Sequence, residues 1–181
     1  MADSPSAPNP PDLAGLLPRP RPRIDLVHPA GAELLQECAL IFREYAGGLG
    51  VDLAFQDFDA ELATLPGDYR PPRGQLLLAI VEGVVAGCGA LRPLPDCDYP
   101  NACEMKRLYV RPAFRGSGIG RLLVQALIDD ATRAGYSSVL LDTLDDMESA
   151  RWLYASFGFD EIPPYYFNPI AGAHYLKAEL G

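Results

Sequence analysis

The chain has 181 residues, and its 15 basic against 24 acidic side chains give a net charge of −9, which argues against nucleic acid as a main partner. Its hydrophobic content of 49% is enough for a packed core, so the length fits one globular domain plus a tail. The longest apolar run, residues 76–91, is broken by Glu82 and by glycines, which indicates two buried strands around a Glu82-Gly83 turn rather than a membrane span.

Seven prolines within residues 1–23 predict a disordered Pro-rich tail, so we expect the folded domain to span residues 24–181. The chain does not start with the basic-then-apolar order of a secretion signal, and we therefore expect a cytoplasmic protein without a membrane partner. Four cysteines without a CxxC pair and two histidines predict reduced structural thiols and no metal site.

The first half of the domain mixes strand and helix signals. Residues 24–27 predict a strand, and the apolar spacing predicts a helix over 32–45 that the glycines at 47, 48 and 50 end. A shorter helix is expected over 57–65. The hairpin over 76–91 follows, and then a strand from about residue 103 to Val110, which Pro112 cannot continue.

The second half repeats a strand-helix-strand-helix order. Apolar residues between 119 and 134 predict a helix ending near Gly135, and residues 138–144 predict a strand. Asp145 with Glu148 indicates a capping box for the next helix, which Gly158 ends, and a final strand or hairpin runs from 159 to 180. The whole order, β, α, α, β, β, β, α, β, α, β, β, predicts an α/β (α+β) fold with a mixed sheet.

The segment RGSGIG at 115–120 combines glycines with a helix start, a pattern typical of an anion site because backbone N–H groups can turn toward one ligand. Residues 105–128 contain no acidic side chain but several basic ones, which supports that interpretation. The segment matches neither GxGxxG nor GxxxxGK[ST]. A tight connection without a ligand stays the alternative.

Residues 104–159 resemble the GCN5-related N-acetyltransferase (GNAT) superfamily. RGSGIG, five residues after Val110, matches the family pattern R/Q-x-x-G-x-G/A between a strand and a helix, and LYASFGF at 153–159 is similar to its Leu-Tyr-x-x-x-Gly-Phe segment. The resemblance implies a mostly antiparallel sheet of six to seven strands flanked by about four helices. It also implies transfer of an acetyl group from acetyl-CoA to a primary amine of a small molecule, directly in a ternary complex.

Two other functions stay open: an acetyl-CoA-binding regulatory module without turnover, and an acyltransferase that acts on a hydroxyl or carries a longer acyl chain. A homodimer is also left open. The resemblance implies that the coenzyme contacts the strand end, the glycine segment and the last helix. These positions are Leu108, Tyr109, Val110, Arg115, Gly116, Ser117, Gly118, Ile119, Gly120 and Arg121, with Ser149 as a weak substitute for a family asparagine, since Met147 occupies that position.

Acetyl transfer to an amine requires a proton acceptor and a donor to the leaving thiolate. The resemblance implies Glu104 as the base and Tyr154 as the acid, against the alternatives of a surface ion pair and a core aromatic. Strand alternation predicts that Glu104, Lys106, Leu108 and Val110 share one face, and a partly dry cleft is expected to raise the pKa of Glu104. Candidate acceptor-binding residues are Arg92, Asp142, Tyr165, Tyr166 and Asn168. A surface charge at a strand end is the alternative for Arg92, and core aromatics are the alternative for Tyr165 and Tyr166.

Overall fold

The computed structural model describes residues 22–181, so the tail predicted over residues 1–23 lies almost wholly outside the described residues. The strands are β1 (Ile24–Val27), β2 (Gln75–Val81), β3 (Val84–Pro93), β4 (Ala102–Val110), β5 (Ser138–Leu144), β6 (Asp160–Ile162) and β7 (Ala173–Glu179). The α-helices are α1 (Ala32–Leu49), α2 (Phe58–Thr64), α3 (Ile119–Arg133) and α4 (Glu148–Ala155). None of the helices in this part of the chain is long and apolar enough to cross a membrane.

The strands form one seven-stranded sheet in the order β1-β2-β3-β4-β5-β7-β6. Only β4 and β5 are parallel, and every other neighbouring pair is antiparallel. The predicted mixed, mostly antiparallel sheet with about four helices is therefore confirmed. The hairpin turn is also as predicted, since Glu82 and Gly83 both have positive φ, at 49° and 83°, which suits a tight two-residue turn.

Each face of the sheet has its own apolar core. On one face α3 buries Leu123 and Leu127 against β4 and β5 residues such as Met105 and Leu141. On the other face α1 buries residues such as Phe42 against β2 and β3. Because side chains alternate along a strand, the neighbours of the α3-facing residues point toward the α1 side.

The parallel pairing of β4 with β5 is short, and it leaves a space between the two strands. Pairing covers only Ala102–Glu104 of β4 against Ser138–Leu140 of β5. Beyond these residues the two strands are not paired, so the remaining backbone groups along their facing edges are free for another partner. We call the space between the separated strands the cleft.

A bulge in β4 corrects one sequence prediction. The β3–β4 register runs Cys88↔Tyr109 and then Ala90↔Lys106, so β4 carries one extra residue, and Arg107 lies there with φ 58°. The extra residue reverses the alternation. Glu104 and Lys106 therefore lie on the α1 face, whereas Leu108 and Val110 pack on the α3 side, and the prediction that all four share a face is wrong.

Two predicted helix ends also differ. Helix α1 continues through Gly47 and Gly48 to Leu49, and Gly50, with φ 68°, is its left-handed C-cap. Helix α4 begins after Met147, and no side chain caps it within the described residues. The predicted capping box is wrong because the Asp145 carboxylate instead contacts the Nε2 atom of His174 at 2.5 Å.

Candidate active site

The cleft lies where β4 and β5 separate and where α4 crosses their ends. Its lining combines apolar side chains with a few polar ones, among them Met105, Lys106, Leu108, Asp142, Thr143 and Tyr154. Apolar walls with a small number of converging polar groups are typical of ligand sites. Helix α1 and the segment after it close the cleft from the other side through Tyr45 and Gln56.

The glycine segment follows the end of β4 and starts α3. Gly118 is the N-cap with φ 87°, and no side chain caps the helix in this part of the described chain. The first helical hydrogen bond joins the N–H of Leu122 to the carbonyl of Gly118, so the N–H groups ahead of it lack an intrahelical partner. With no acidic side chain in the first turn, this end of α3 suits an anion.

The other predicted coenzyme residues have varied surroundings. Leu108 lines the cleft, whereas Tyr109 packs edge-on against Tyr45 on the opposite face at 6.0 Å between ring centroids. Arg115 donates from Nε to the carbonyl of Val110 at 3.1 Å. Ser149 is exposed and lies outside the cleft lining of the described residues.

Arg121 directly follows the glycine segment and contacts the C-terminal end of α4. Arg121 donates from Nη1 to the Ser156 hydroxyl at 3.0 Å and lies 4.8 Å above the Phe157 ring. Two of its neighbours in the segment are Ser117, whose hydroxyl donates to the Phe114 carbonyl at 2.5 Å, and the exposed Gly116. The contact of Arg121 with Ser156 and Phe157 joins the start of α3 to the end of α4 beside the glycine segment.

Glu104 is only 1% exposed, and its carboxylate accepts three hydrogen bonds. Arg92 donates to Oε2 from Nε at 2.8 Å and from Nη2 at 2.7 Å, and the Tyr165 hydroxyl donates to Oε1 at 2.9 Å. Burial alone raises the pKa of Glu104, but the charges of Lys106 and Arg92 and these hydrogen bonds outweigh it and leave the pKa below its usual value. The predicted rise in this pKa is therefore wrong.

Asp142 presents the second carboxylate on this side of the sheet. It lines the cleft from β5, and the Asn168 amide donates to its Oδ2 at 3.4 Å. Burial raises the pKa of Asp142, and the Glu104 charge adds to the rise, while the Lys106 charge opposes it. A raised pKa makes the Asp142 carboxylate a stronger proton acceptor than a freely solvated one.

The three late-loop residues predicted for the acceptor side converge around these carboxylates. The Tyr166 hydroxyl accepts N–H groups from Asn168 at 3.1 Å and Gln56 at 3.3 Å. The rings of Tyr165 and Tyr166 lie 5.3 Å apart, and both contact Tyr175 edge-on. The structure thus brings Arg92, Asp142, Tyr165, Tyr166 and Asn168 to one side of the sheet, with Arg92 bound to Glu104.

Tyr154 lies at the α4 wall of the cleft. It is 5% exposed and packs against Phe159 with 5.7 Å between ring centroids. Burial, followed by the effect of Tyr45 and Asp142, raises the pKa of its phenol well above the usual value. The hydroxyl therefore remains protonated across the physiological range and is able to donate.

Sequence reasoning did not identify several polar residues of the cleft lining, among them Thr143 and Lys106. Thr143 is 4% exposed, and its hydroxyl has no hydrogen-bond partner among residues 22–181. Lys106 is 6% exposed, and burial lowers its pKa. The sequence placed Lys106 in a basic window, but nothing in that window distinguishes a buried ammonium from a surface one.

Comparison with known proteins gives a consistent result. A family model described as the acetyltransferase (GNAT) family matches residues 32–159. An uncharacterized N-acetyltransferase of Schizosaccharomyces pombe is 45% identical over 147 residues, which cover 81% of this chain and 88% of that protein.

Solved structures agree with the fold. An acetyltransferase of Streptococcus agalactiae has a TM-score of 0.71 at 19% identity, covering 87% of this chain and 98% of its own. A structure from Salmonella typhimurium, described as an acetyltransferase with its cofactor acetyl-CoA, has a TM-score of 0.63 at 22% identity and covers 87% of this chain and 94% of its own.

Proposed function

Because the chain belongs to the GNAT acetyltransferase family and is thus an acyltransferase, we propose that it moves an acetyl group from acetyl-CoA to a primary amine of a small molecule, directly in a ternary complex. The observation that carries this proposal is the cleft, in which a buried phenol, Tyr154, and a half-buried carboxylate, Asp142, line the same space. We propose residues 24–181 as the domain that does this.

The residues around the glycine turn fit the coenzyme. The N–H groups at the start of α3 suit a pyrophosphate, and the unpaired cleft-side edge of β4 after Glu104 suits the amides of a pantetheine arm. The unpartnered hydroxyl of Thr143 offers one more hydrogen bond inside the cleft. The acetyl-CoA of the Salmonella structure is consistent with this assignment.

The proposed chemistry divides the two proton-transfer roles. Asp142 accepts a proton from the acceptor ammonium, because its pKa is raised and it lines the cleft. The amine nitrogen then attacks the thioester carbon, the C–N bond forms and the C–S bond breaks. Tyr154 protonates the departing sulfur and then regains a proton from the nitrogen. The nitrogen thus loses two protons: one passes through Asp142 to solvent, and the other replaces the proton that Tyr154 gave to the sulfur.

Glu104, the base that the family resemblance implies, has a different part in this proposal. Its oxygens already accept three N–H or O–H groups from Arg92 and Tyr165, and its pKa is lowered. Such a carboxylate is a weak proton acceptor. We propose that Glu104 instead positions the Tyr165 loop and Arg92 beside the cleft.

Coenzyme binding is tested with a glutamate at the glycine turn. Gly118→Glu places a carboxylate at the start of α3, and we expect the affinity for acetyl-CoA, measured by calorimetry, to fall at least tenfold, about 1.4 kcal/mol. Gly83→Glu is the matched control, because Gly83 is exposed and has a similar φ of 83° in the β2–β3 turn. Wild-type affinity in a folded Gly118→Glu variant would remove the coenzyme site.

Turnover is tested separately by detecting free thiol from acetyl-CoA in the presence of a panel of amines. Release that depends on an amine supports the transferase, and the mass of the product shows which atom carries the acetyl group. A protein that binds acetyl-CoA but releases no thiol with any acceptor is the regulatory module instead.

A further inference from the structure

We propose that the acceptor is a free amino acid whose carboxylate is bound by the Lys106 ammonium, while its amine faces Asp142. This inference rests on the proposed acetyltransferase function and specifies the substrate class. It begins with the three cations on the α1 side of β3 and β4, which are Arg92, Lys106 and Arg107.

Two of these three cations already have carboxylate partners. Arg92 makes a two-point contact with Glu104 at 2.8 and 2.7 Å. Arg107 makes another with Glu61 at 2.9 and 2.6 Å. Since both guanidinium groups are paired in the bidentate geometry that suits them, neither is available to a substrate carboxylate without breaking a buried ion pair.

Lys106 differs from both. Its side chain is 4% exposed, and within residues 22–181 its one ion pair joins Nζ to Oε1 of Glu104 at 3.7 Å, which is too long for a hydrogen bond. That oxygen already accepts the Tyr165 hydroxyl. An ammonium has three N–H donors, and the long contact to the Glu104 oxygen leaves these donors available to a ligand. Lys106 is one of the residues that line the cleft, so an anionic ligand bound there supplies acceptors for its ammonium.

Asp142 supplies the opposite charge. It lies on β5, across the cleft from Lys106, and the two charged groups influence each other without forming a direct ion pair in the described residues. Lys106 and Asp142 line the same cleft and do not pair with each other among the described residues, so a ligand that has both charges can pair with each of them. A zwitterionic amino acid meets this requirement with its carboxylate toward Lys106 and its amine toward Asp142.

A simple amine fits less well. Its cation would approach Asp142 beside the Lys106 ammonium, and two like charges in a partly dry site repel each other. A ligand carboxylate removes that repulsion and accepts hydrogen bonds from Lys106. The side chains of Leu108 and Val110 pack on the α3 side of β4, whereas Lys106 lies on the α1 side, so we assign this ammonium to the acceptor rather than to the coenzyme.

The experiment compares free amino acids with their carboxamides as acceptors, using purified full-length protein, acetyl-CoA and thiol detection. The amide keeps the amine and the side chain and loses only the negative charge. We expect wild-type kcat/KM to favour the acid over the matched amide at least tenfold, mainly through KM, as for loss of one hydrogen bond to a charged group. Equal activity on both members of every pair overturns the inference and leaves the acetyltransferase function standing.

Lys106→Met then identifies the residue responsible. We expect the acid-over-amide ratio to collapse in this variant, with Lys106→Arg retaining part of the preference. The chain has two lysines, and Lys177→Met is the control because Lys177 pairs with Glu179 on β7, outside the cleft lining. If Lys106→Met lowers kcat equally for acids and amides, the ammonium acts on the thioester and the inference fails. Absence of thiol release with every amine would instead refute the proposed function itself.

Discussion

The ion pair between Arg107 and Glu61 supports a prediction about stability. Arg107 donates from Nε and Nη2 to the two Glu61 oxygens at 2.9 and 2.6 Å and from Nη1 to the Gln56 amide oxygen at 3.0 Å. The side chains are 2% and 13% exposed. The contact fixes α2 and the segment before it to the bulge of β4, so its loss is expected to loosen one wall of the cleft.

The magnitude follows from burial. Removing one partner of a buried pair leaves an uncompensated charge and lowers the free energy of unfolding by about 3–5 kcal/mol. We expect Glu61→Leu to cost more than Arg107→Met, because the stranded Arg107 has less access to water than the stranded Glu61, which also keeps the Tyr69 hydroxyl at 2.9 Å. At about 2–4 °C per kcal/mol for a domain of this size, either change lowers Tm by roughly 6–20 °C.

The double variant decides whether the pair itself is responsible. Replacing both groups with apolar side chains removes the buried charges together, so we expect the Arg107→Met/Glu61→Leu protein to be more stable than either single variant. Methionine is unbranched like arginine, so the strain of the positive φ at residue 107 is nearly constant across the cycle. The exposed pair of Arg23 and Asp25 is the control, and Arg23→Met is expected to change stability by less than about 1 kcal/mol.

Urea unfolding followed by circular dichroism measures the stability of the wild type, the two single variants, the double variant and the Arg23→Met control. A coupling free energy of at least about 2 kcal/mol between the two positions is the expected result. Additive losses, with the double variant less stable than both singles, would refute the reasoning, since they would show that each side chain acts through packing rather than through the pair.

Three further outcomes are expected. Tyr154→Phe keeps acetyl-CoA affinity in calorimetry but lowers kcat at least tenfold, since the sulfur loses its proton donor; an unchanged kcat removes that role. Asp142→Asn lowers kcat/KM by about 10²–10⁴ and abolishes the acidic limb of its pH profile, which in the wild type follows the raised pKa of Asp142; a retained limb points to another base. His174 contacts Glu161 and Asp145 through its two ring nitrogens at 2.9 and 2.5 Å, and these contacts raise its pKa. The stabilisation by His174 is therefore complete below its unfolded pKa of about 6.5 and is lost as pH rises through the folded pKa. In urea unfolding, we expect the wild type to exceed His174→Gln in stability by more at about pH 5.5 than at about pH 9. An equal difference at both pH values would contradict the ion pair.

Much of the fold was predictable because it depends on neighbouring residues. Apolar spacing located α3 and β5, and the Glu82-Gly83 turn located the hairpin between β2 and β3. Predictions failed where a distant residue decides the local structure. Asp145 looked like a helix cap, but folding brings His174 to it from β7, and an ion pair with a histidine replaces the cap.

The candidate site was predictable only in part, for the same reason. The glycine segment and the positions of Glu104, Asp142 and Tyr154 can be located on a strand or helix from sequence. Their protonation cannot, because a pKa depends on which charges and donors surround the group. The pKa of Glu104 was expected to be raised, yet the charges and hydrogen bonds around its carboxylate, among them those of Arg92 and Tyr165, lower that pKa.

The sequence by itself determined the order of strands and helices and the glycine turn that begins α3, because periodicity and turn chemistry are local properties of the chain. The family followed from the resemblance of two short motifs. The tertiary structure alone decided which charges are satisfied. One extra residue at the Arg107 bulge turns Leu108 and Val110 toward α3 and leaves Lys106 on the other face, buried and 3.7 Å from an occupied carboxylate. That arrangement depends on register between strands and on residues far apart in the chain, and so does the proposed preference for an amino acid.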